Sequence, residues 1–381
     1  MSAEAVVRFR PSRAEVDPEA IRGNVERIAA ASGAEVCAVV KADGYGHGAV
    51  RASRAALAGG ATWLAVALVE EALVLRAAGI TAPVLLLSEP PITALDAMLD
   101  AGVTPTVYRS ELVAALDAAA ERRATDVAIH VKLDTGMTRV GADEPAWQAL
   151  LALVAASRRL VLEGVWTHLA RAEEVDVPSN AAQLAAFERG LVAVTAAGLS
   201  PELVHVGNTA GALAHPGAAR TMVRAGIGIY GASPGGDVDA RTHGLVPALE
   251  VVSEVSLVKR IAQGTGVSYG HRWHAPHDGW LATVPIGYAD GIPRAATGAA
   301  EVLLGGARRP VAGTITMDQL LVWCDEHRPR VGDEVVLVGA RDGHAVRVED
   351  WAAWAGTIPY EVLTGLGPRL PRVEVDRSGP G

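Results

Sequence analysis

A chain of 381 residues, half of them hydrophobic and one fifth charged, has the composition of a globular protein with room for one large domain and a second of ordinary size. Its formal net charge of −9 argues against nucleic acid or an anionic membrane as the main partner, since either favours a basic face, and leaves small molecules. The N-terminal stretch lacks an apolar core of signal-peptide length, the longest uncharged stretch (203–219) is broken by His, Asn, Gly and Pro, and Cys37 and Cys324 offer neither a disulfide framework nor a metal spacing, so a reduced cytoplasm is expected.

In chain order, short runs rich in Val, Leu and Ile recur at 36–40, 63–68, 83–88, 103–108, 128–133, 161–167, 203–206 and 222–225. Alanine-rich amphipathic stretches separate them, several ending in Gly as helix C-termini do. Eight such alternations predict an α/β fold, a closed (β/α)8 TIM-like barrel over residues 1–240. After residue 245 the texture changes to short alternating strands with one late helix at 348–356, which predicts a C-terminal β-rich domain over 241–381. The Gly, Pro and Asp cluster at 231–244 marks the boundary.

Barrels carry function at the C-terminal ends of their strands, and here those ends are polar. The first strand exits to Lys41 and the loop "KADGYGHG"; the fifth carries Lys132; the sixth exits to His168; the seventh to Asn208 and Thr209; the eighth carries Arg224 and exits to "GIGIYG". Only three of the 34 basic residues are lysine, so Lys41 is not surface filler. The exits of strands seven and eight suit a phosphate: Thr209 offers a hydroxyl, and Gly226 and Ile227 offer backbone N–H groups that glycine lets approach an anion. "GIGIYG" also matches G-x-G-x-x-G, but without the doubly wound context that pattern needs. A phosphate loop, a lysine at a strand mouth and an arginine on strand eight together point to pyridoxal phosphate, whose aldehyde condenses with a lysine amine and whose ring nitrogen faces an Asp or Arg. The histidines of "HRWHAPH" have no carboxylate or cysteine partner at a telling spacing, so no metal is expected.

Nine blocks in order then resemble the signatures of alanine racemases: "AVVKADGYGHG", "HVKLDTGMTRVG", "EGVWTHLA", "HVGNTAGAL", "MVRAGIGIYG", "VSYGHRW", "VPIGYADGIPR", "ITMDQL" and "TIPYEVLTGLGPRLPRV". The resemblance implies a homodimer with shared active sites that interconverts L- and D-alanine, supplying D-alanine for peptidoglycan. It implies that Lys41 holds the cofactor and is one base, and that Tyr269 of the other subunit is the second. Arg224 faces the pyridine nitrogen, and His168 stacks near the ring and joins Tyr269 to Arg224. Tyr45, Thr209, Gly226, Ile227 and Tyr360 hold the phosphate, and Asn208 also binds the cofactor. Arg139 touches the cofactor's phenolic oxygen and the substrate carboxylate, Met317 the same carboxylate through its N–H, and Lys132, carbamylated in some relatives, orients Arg139. Glu173, Tyr288, Arg294 and Ile358 line the substrate corridor.

Two bases on opposite faces suit racemisation, because a proton leaves one face of the α-carbon and returns to the other. An arginine at the ring nitrogen cannot give up a proton as an acid would, which limits delocalisation into the ring and suppresses transamination. The chain departs from the family in reading "GTITMDQ", with Thr314 and Thr316, where relatives read a "GRVCMDQ"-like stretch that carries a corridor arginine. That keeps open a related racemase for serine or basic amino acids. A pyridoxal phosphate carrier built on the barrel is the non-enzyme alternative, and it lacks a β domain bearing "VSYG".

Overall fold

The computed structural model describes residues 9–377 and divides into two compact units, Glu19–Val246 and a second made of the described residues up to Pro18 with those from Pro247 onward. In the first, eight parallel strands close into a barrel: β2 (Glu35–Val39), β3 (Trp63–Val66), β4 (Val84–Leu86), β5 (Thr104–Val107), β6 (Val127–Lys132), β7 (Leu160–Trp166), β8 (Leu203–His205) and β9 (Met222–Ala225), with β2 and β9 paired to complete the ring. The helices between them are those the alanine-rich stretches announce, and two carry proline in their first turn, Pro145 in Glu144–Ala156 and Pro178 in Pro178–Ala196. Proline suits a first turn because its missing N–H has no intrahelical partner there.

The barrel interior is only partly aliphatic. His130, Lys132, His205 and Arg224 are each at most 3% exposed inside it, beside the indoles of Trp63 and Trp166. Such groups are costly to bury without partners, so their hydrogen bonds matter to the fold as well as to the site.

The second unit is β-rich. Its larger sheet runs Ala307–Pro310, Glu301–Leu304, Glu334–Arg341, Leu249–Glu254, β1 (Arg13–Val16), Arg372–Glu374, and a three-stranded sheet joins Leu257–Ile261, Gly279–Val284 and Leu320–Asp325. The division differs from the expected 1–240 and 241–381. The N-terminal strand β1 lies in the second unit, antiparallel to Leu249–Glu254 and parallel to Arg372–Glu374, and the barrel unit runs on to Val246. The alternation of Arg13, Ala14, Glu15 and Val16 suits a strand with one buried face but does not say which sheet holds it; here Ala14 and Val16 are buried against that sheet. The helix expected at 348–356 forms as Val348–Ala355, and a second, Pro359–Gly365, follows it. Among the described residues no helix is long and apolar enough to cross a membrane.

Candidate active site

Lys41 follows β2 and opens a turn that is left-handed over four residues: Ala42, Asp43, Gly44 and Tyr45 have φ of 51°, 51°, 62° and 50°. Three of these are not glycine, and such a run persists only where its surroundings over-determine it. They do. Glu71 accepts the Ala42 N–H at 2.7 Å and those of Ala67 and Leu68, and Asp43 accepts the Ala49 N–H at 2.8 Å. The turn therefore sets Lys41 rigidly. Burial and the charge of Arg139 lower its ammonium pKa, against an opposing pull from Glu71.

The same turn buries Tyr45, whose hydroxyl burial pushes up to about 12, beside the ring of Tyr230. A Cβ at Gly226 would fall 2.7 Å from the Tyr45 Oη, so this glycine lets the phenol lie on the backbone after β9. Thr209 Oγ1 accepts the N–H groups of Gly226 and Gly228, both at 3.1 Å. With its lone pairs so used, the Thr209 hydroxyl proton remains to be donated. The Gly226 N–H is thus engaged by Thr209 rather than open to an anion as the sequence suggests. Asn208 is likewise committed, its side-chain oxygen capping the helix Thr209–Ala214 by accepting the Gly211 N–H at 2.9 Å.

Arg224 lies across the barrel. Its guanidinium donates to His205 Nδ1 (2.9 Å), His168 Nδ1 (3.0 Å) and the carbonyls of Thr167 and Val206 (2.8 and 2.9 Å), and it lies 4.4 Å from the Trp166 ring. Burial lowers its pKa to about 9. Desolvation, then the charges of Arg224, Arg139, Lys132 and Lys41, hold His168 well below the usual imidazole range, so its Nδ1 is a free acceptor for Arg224. Lys132 is pushed down to about 7 by burial and by Arg224 and Arg139. Its Nζ donates to the Val140 carbonyl at 2.7 Å, so it pins the loop one residue past Arg139 rather than the Arg139 side chain itself. Asp134 shapes that loop by accepting the N–H groups of Gly136, Met137 and Thr138. Glu173 lies in the loop after β7, its carbonyl accepting the Asp237 N–H.

The remaining candidates form a second group in the β-rich unit. Tyr269 sits in the tight turn Tyr269–His271 with 75% of its surface exposed. Ser268, Gly270 and His271 around it have φ of 62°, 74° and 42°. Two bonds hold this strained turn: Ser268 Oγ donates to the Thr314 carbonyl (2.8 Å), and Thr314 Oγ1 donates to the Tyr269 carbonyl (2.9 Å). Thr314, one of the departures noted above, is thus the side chain that fastens Tyr269. Val267, Leu281, Ala312 and Trp323 pack as a buried cluster at the foot of the turn.

Buried Asp290 organises the next loop. It accepts both Arg10 guanidinium nitrogens (3.0 and 2.8 Å) and the Gly287 N–H (3.0 Å). Tyr288 and Ala289 then donate to the carbonyls of Thr316 and Met317, both at 3.0 Å, locking the loop of Tyr288 to that of Met317. A cleft of about 490 Å³ opens here, lined by Tyr288, Arg294, Gly356, Thr357 and Glu361. Ile358 is exposed, and Tyr360 lies half-buried on the helix Pro359–Gly365.

Residues 16–234 match the alanine racemase N-terminal domain, and residues 248–374 match the alanine racemase C-terminal domain. The chain belongs to the alanine racemase family. An alanine racemase of Thermobifida fusca is 44% identical over 366 residues, covering 95% of this chain and 97% of its own, and one of Frankia casuarinae is 43% identical with 95% of both covered. The solved alanine racemase of Streptomyces coelicolor superposes with a TM-score of 0.92 at 39% identity, covering 96% of this chain and 98% of its own. That of Bacillus anthracis, solved with bound L-Ala-P, gives 0.89 at 35% identity, covering 98% and 97%.

Within this family framework, Glu71, Asp134, Asp290 and Thr314 are the residues that sequence reading leaves out or gives no positioning role. Each acts on backbone N–H or C=O groups, or on a distant arginine, and such partners leave no spacing to read. Only Thr314 carried a signal, as a departure from the family pattern.

Proposed function

We propose that this chain racemises alanine with pyridoxal phosphate, Lys41 serving as the base on one face of the α-carbon and Tyr269 of a second copy as the base on the other. The observation that carries the reading is the buried Arg224, held by two neutral imidazoles close to the basic groups Lys41, Lys132 and Arg139. A pocket so rich in positive charge suits an anionic cofactor, and Tyr45 against Gly226, with Thr209 holding a proton to donate, suits its phosphate.

When bound, pyridoxal phosphate supplies the electron sink that makes the α-proton removable. Lys41 would hold it and, with its pKa lowered by burial and by Arg139, would give up and take back a proton at Nζ more readily than an ordinary lysine. Arg224 would face the pyridine nitrogen as a donor that, even with its pKa lowered to about 9, keeps its proton at neutral pH. Arg139 and the Met317 N–H receive the substrate carboxylate. Ile227, Thr209, Tyr45 and Tyr360 would receive the phosphate, Gly226 would only leave room for it because its N–H is held by Thr209, and Asn208 supports Thr209 by capping its helix. Lys132, its pKa pushed down to about 7, offers the free amine that carbamylation by CO2 needs, and the resulting anion would offset Arg139 and Arg224. Tyr288 and Tyr360 narrow the inner gate, and Glu173, Arg294 and Ile358 line the approach, which favours a small side chain. D-alanine made this way would feed cell-wall synthesis in the cytoplasm.

Chiral analysis of the cofactor-loaded protein with L-alanine, L-serine, L-lysine and L-arginine tests this. D-alanine is expected to form rapidly with little else. Conversion of another amino acid in its place would favour a racemase of different specificity, to which Thr314 in the position of a corridor arginine points. No conversion with cofactor bound would favour a carrier and refute the catalytic roles.

A further inference from the structure

Arg224 donates and cannot accept, and that property orders everything behind it. Because its Nη1 donates to His205 Nδ1, the proton of a neutral His205 must sit on Nε2. That nitrogen lies 2.9 Å from His130 Nδ1, which must therefore accept, and so the His130 proton must sit on its own Nε2. His130 Nε2 lies 3.4 Å from Glu163 Oε2, and neither atom has a hydrogen-bond partner among the described residues. Both rings are fully buried, and burial holds both below the usual imidazole range. An imidazolium at His205 would have no lone pair for Arg224. The line therefore has one direction, from guanidinium through two imidazoles to a carboxylate that is 29% exposed.

The line is built into the barrel wall. Pairing of β6 with β7 slips between Ile129, opposite Leu162, and His130, opposite Gly164, so Glu163 is the extra residue of a bulge. A Cβ at Gly164 would fall 2.5 Å from His130 Nδ1, so the ring occupies space that only glycine leaves. The Trp166 indole stacks on His205 at 5.5 Å and 10°, and Trp63 flanks His130 at 5.3 Å. Neither ring has room to turn over.

We propose that His130 and Glu163 are positioning residues of the site: by fixing the His205 proton on Nε2 they keep its Nδ1 open to Arg224, and so hold the guanidinium in the orientation that faces the cofactor ring. Glu163 also gives the buried cation a carboxylate, reached through two rings. The inference rests on the role of Arg224 proposed above, and the test separates the two.

Ring nitrogen-15 spectra of the full-length histidine-labelled protein, with and without pyridoxal phosphate and assigned through His130→Asn and His205→Asn, should show His130 and His205 both protonated at Nε2 only. A proton on Nδ1 of His130, or an imidazolium at either ring, would overturn the proposal. Glu163→Leu should add the Nδ1-H form of His130, shift the visible absorbance of the bound cofactor, and lower kcat about tenfold while KM for alanine stays nearly constant. Glu163→Gln, which still presents an oxygen to His130 Nε2, should recover most of the loss. Wild-type turnover and absorbance in Glu163→Leu would overturn the proposal even with the expected tautomers. Should Glu163→Leu fail to fold, the wild-type spectrum and the Gln variant decide alone. If the wild-type protein racemises nothing, the racemase reading fails while the tautomers still answer for His130 and Glu163.

Discussion

Around Arg224 both terminal guanidinium nitrogens meet acceptors inside the barrel unit, while Tyr269, Met317 and Ile358 in the β-rich unit each expose more than half their surface. The barrel group is buried and charged: burial lowers the pKa values of Lys41, Lys132, His168 and Arg224, and the charge of Arg224 lowers those of Lys132 and His168 further. The second group is held through its main chain. Thr314 fastens the Tyr269 carbonyl, and the Thr316 and Met317 carbonyls receive the loop of Tyr288. One unit carries a buried charged cluster; the other presents Tyr269, Met317 and Ile358 outward.

That contrast can be broken most severely at Lys41. Lys41→Ala should abolish racemisation and the visible absorbance of bound cofactor together, as read by spectrophotometry after dialysis. Tyr269→Phe should leave that absorbance intact yet lower turnover about a hundredfold or more; sedimentation should find the wild-type protein a dimer, and full activity in a monomer would refute a base from the second copy.

A smaller effect is expected at the fastening of Tyr269. Thr314→Val keeps the shape and removes the bond to the Tyr269 carbonyl, so kcat should fall about threefold. The deuterium isotope effect on α-proton removal should rise for one enantiomer of alanine only. Thr314→Ser should restore both values, and equal changes in the two directions would assign Thr314 a general structural role instead.

The effect expected at Lys132 appears in stability and not in turnover. Between pH of about 7 and the ordinary lysine range, the unfolded chain holds a proton on this amine that the folded chain has released, so stability rises with pH across that window. Denaturant midpoints at pH 7.5 and 9.5 in CO2-free buffer should show a rise in the wild type, of at most about 1.4 kcal/mol per pH unit, that Lys132→Met lacks. Parallel behaviour of the two would place the lost proton elsewhere.

Sequence alone reached the closed barrel because a parallel strand buried on both faces is an apolar run of a few residues, and a covering helix is an amphipathic one. It also reached Lys41, Lys132, His168 and Arg224, since polar residues at the ends of such runs stand out. The assignment of β1 to the β-rich unit came only with the tertiary structure, because alternation records that one face is buried without recording which sheet buries it. The same holds for the left-handed run after Lys41, which local preferences oppose at Ala42, Asp43 and Tyr45 and which bonds from Glu71 and Asp43 make stable. The line from Arg224 to Glu163 lies deepest out of sight. Its members are 19, 75 and 33 positions apart along the chain, and only closure of the barrel, a bulge of one residue and a missing Cβ at Gly164 bring them within reach of one proton each.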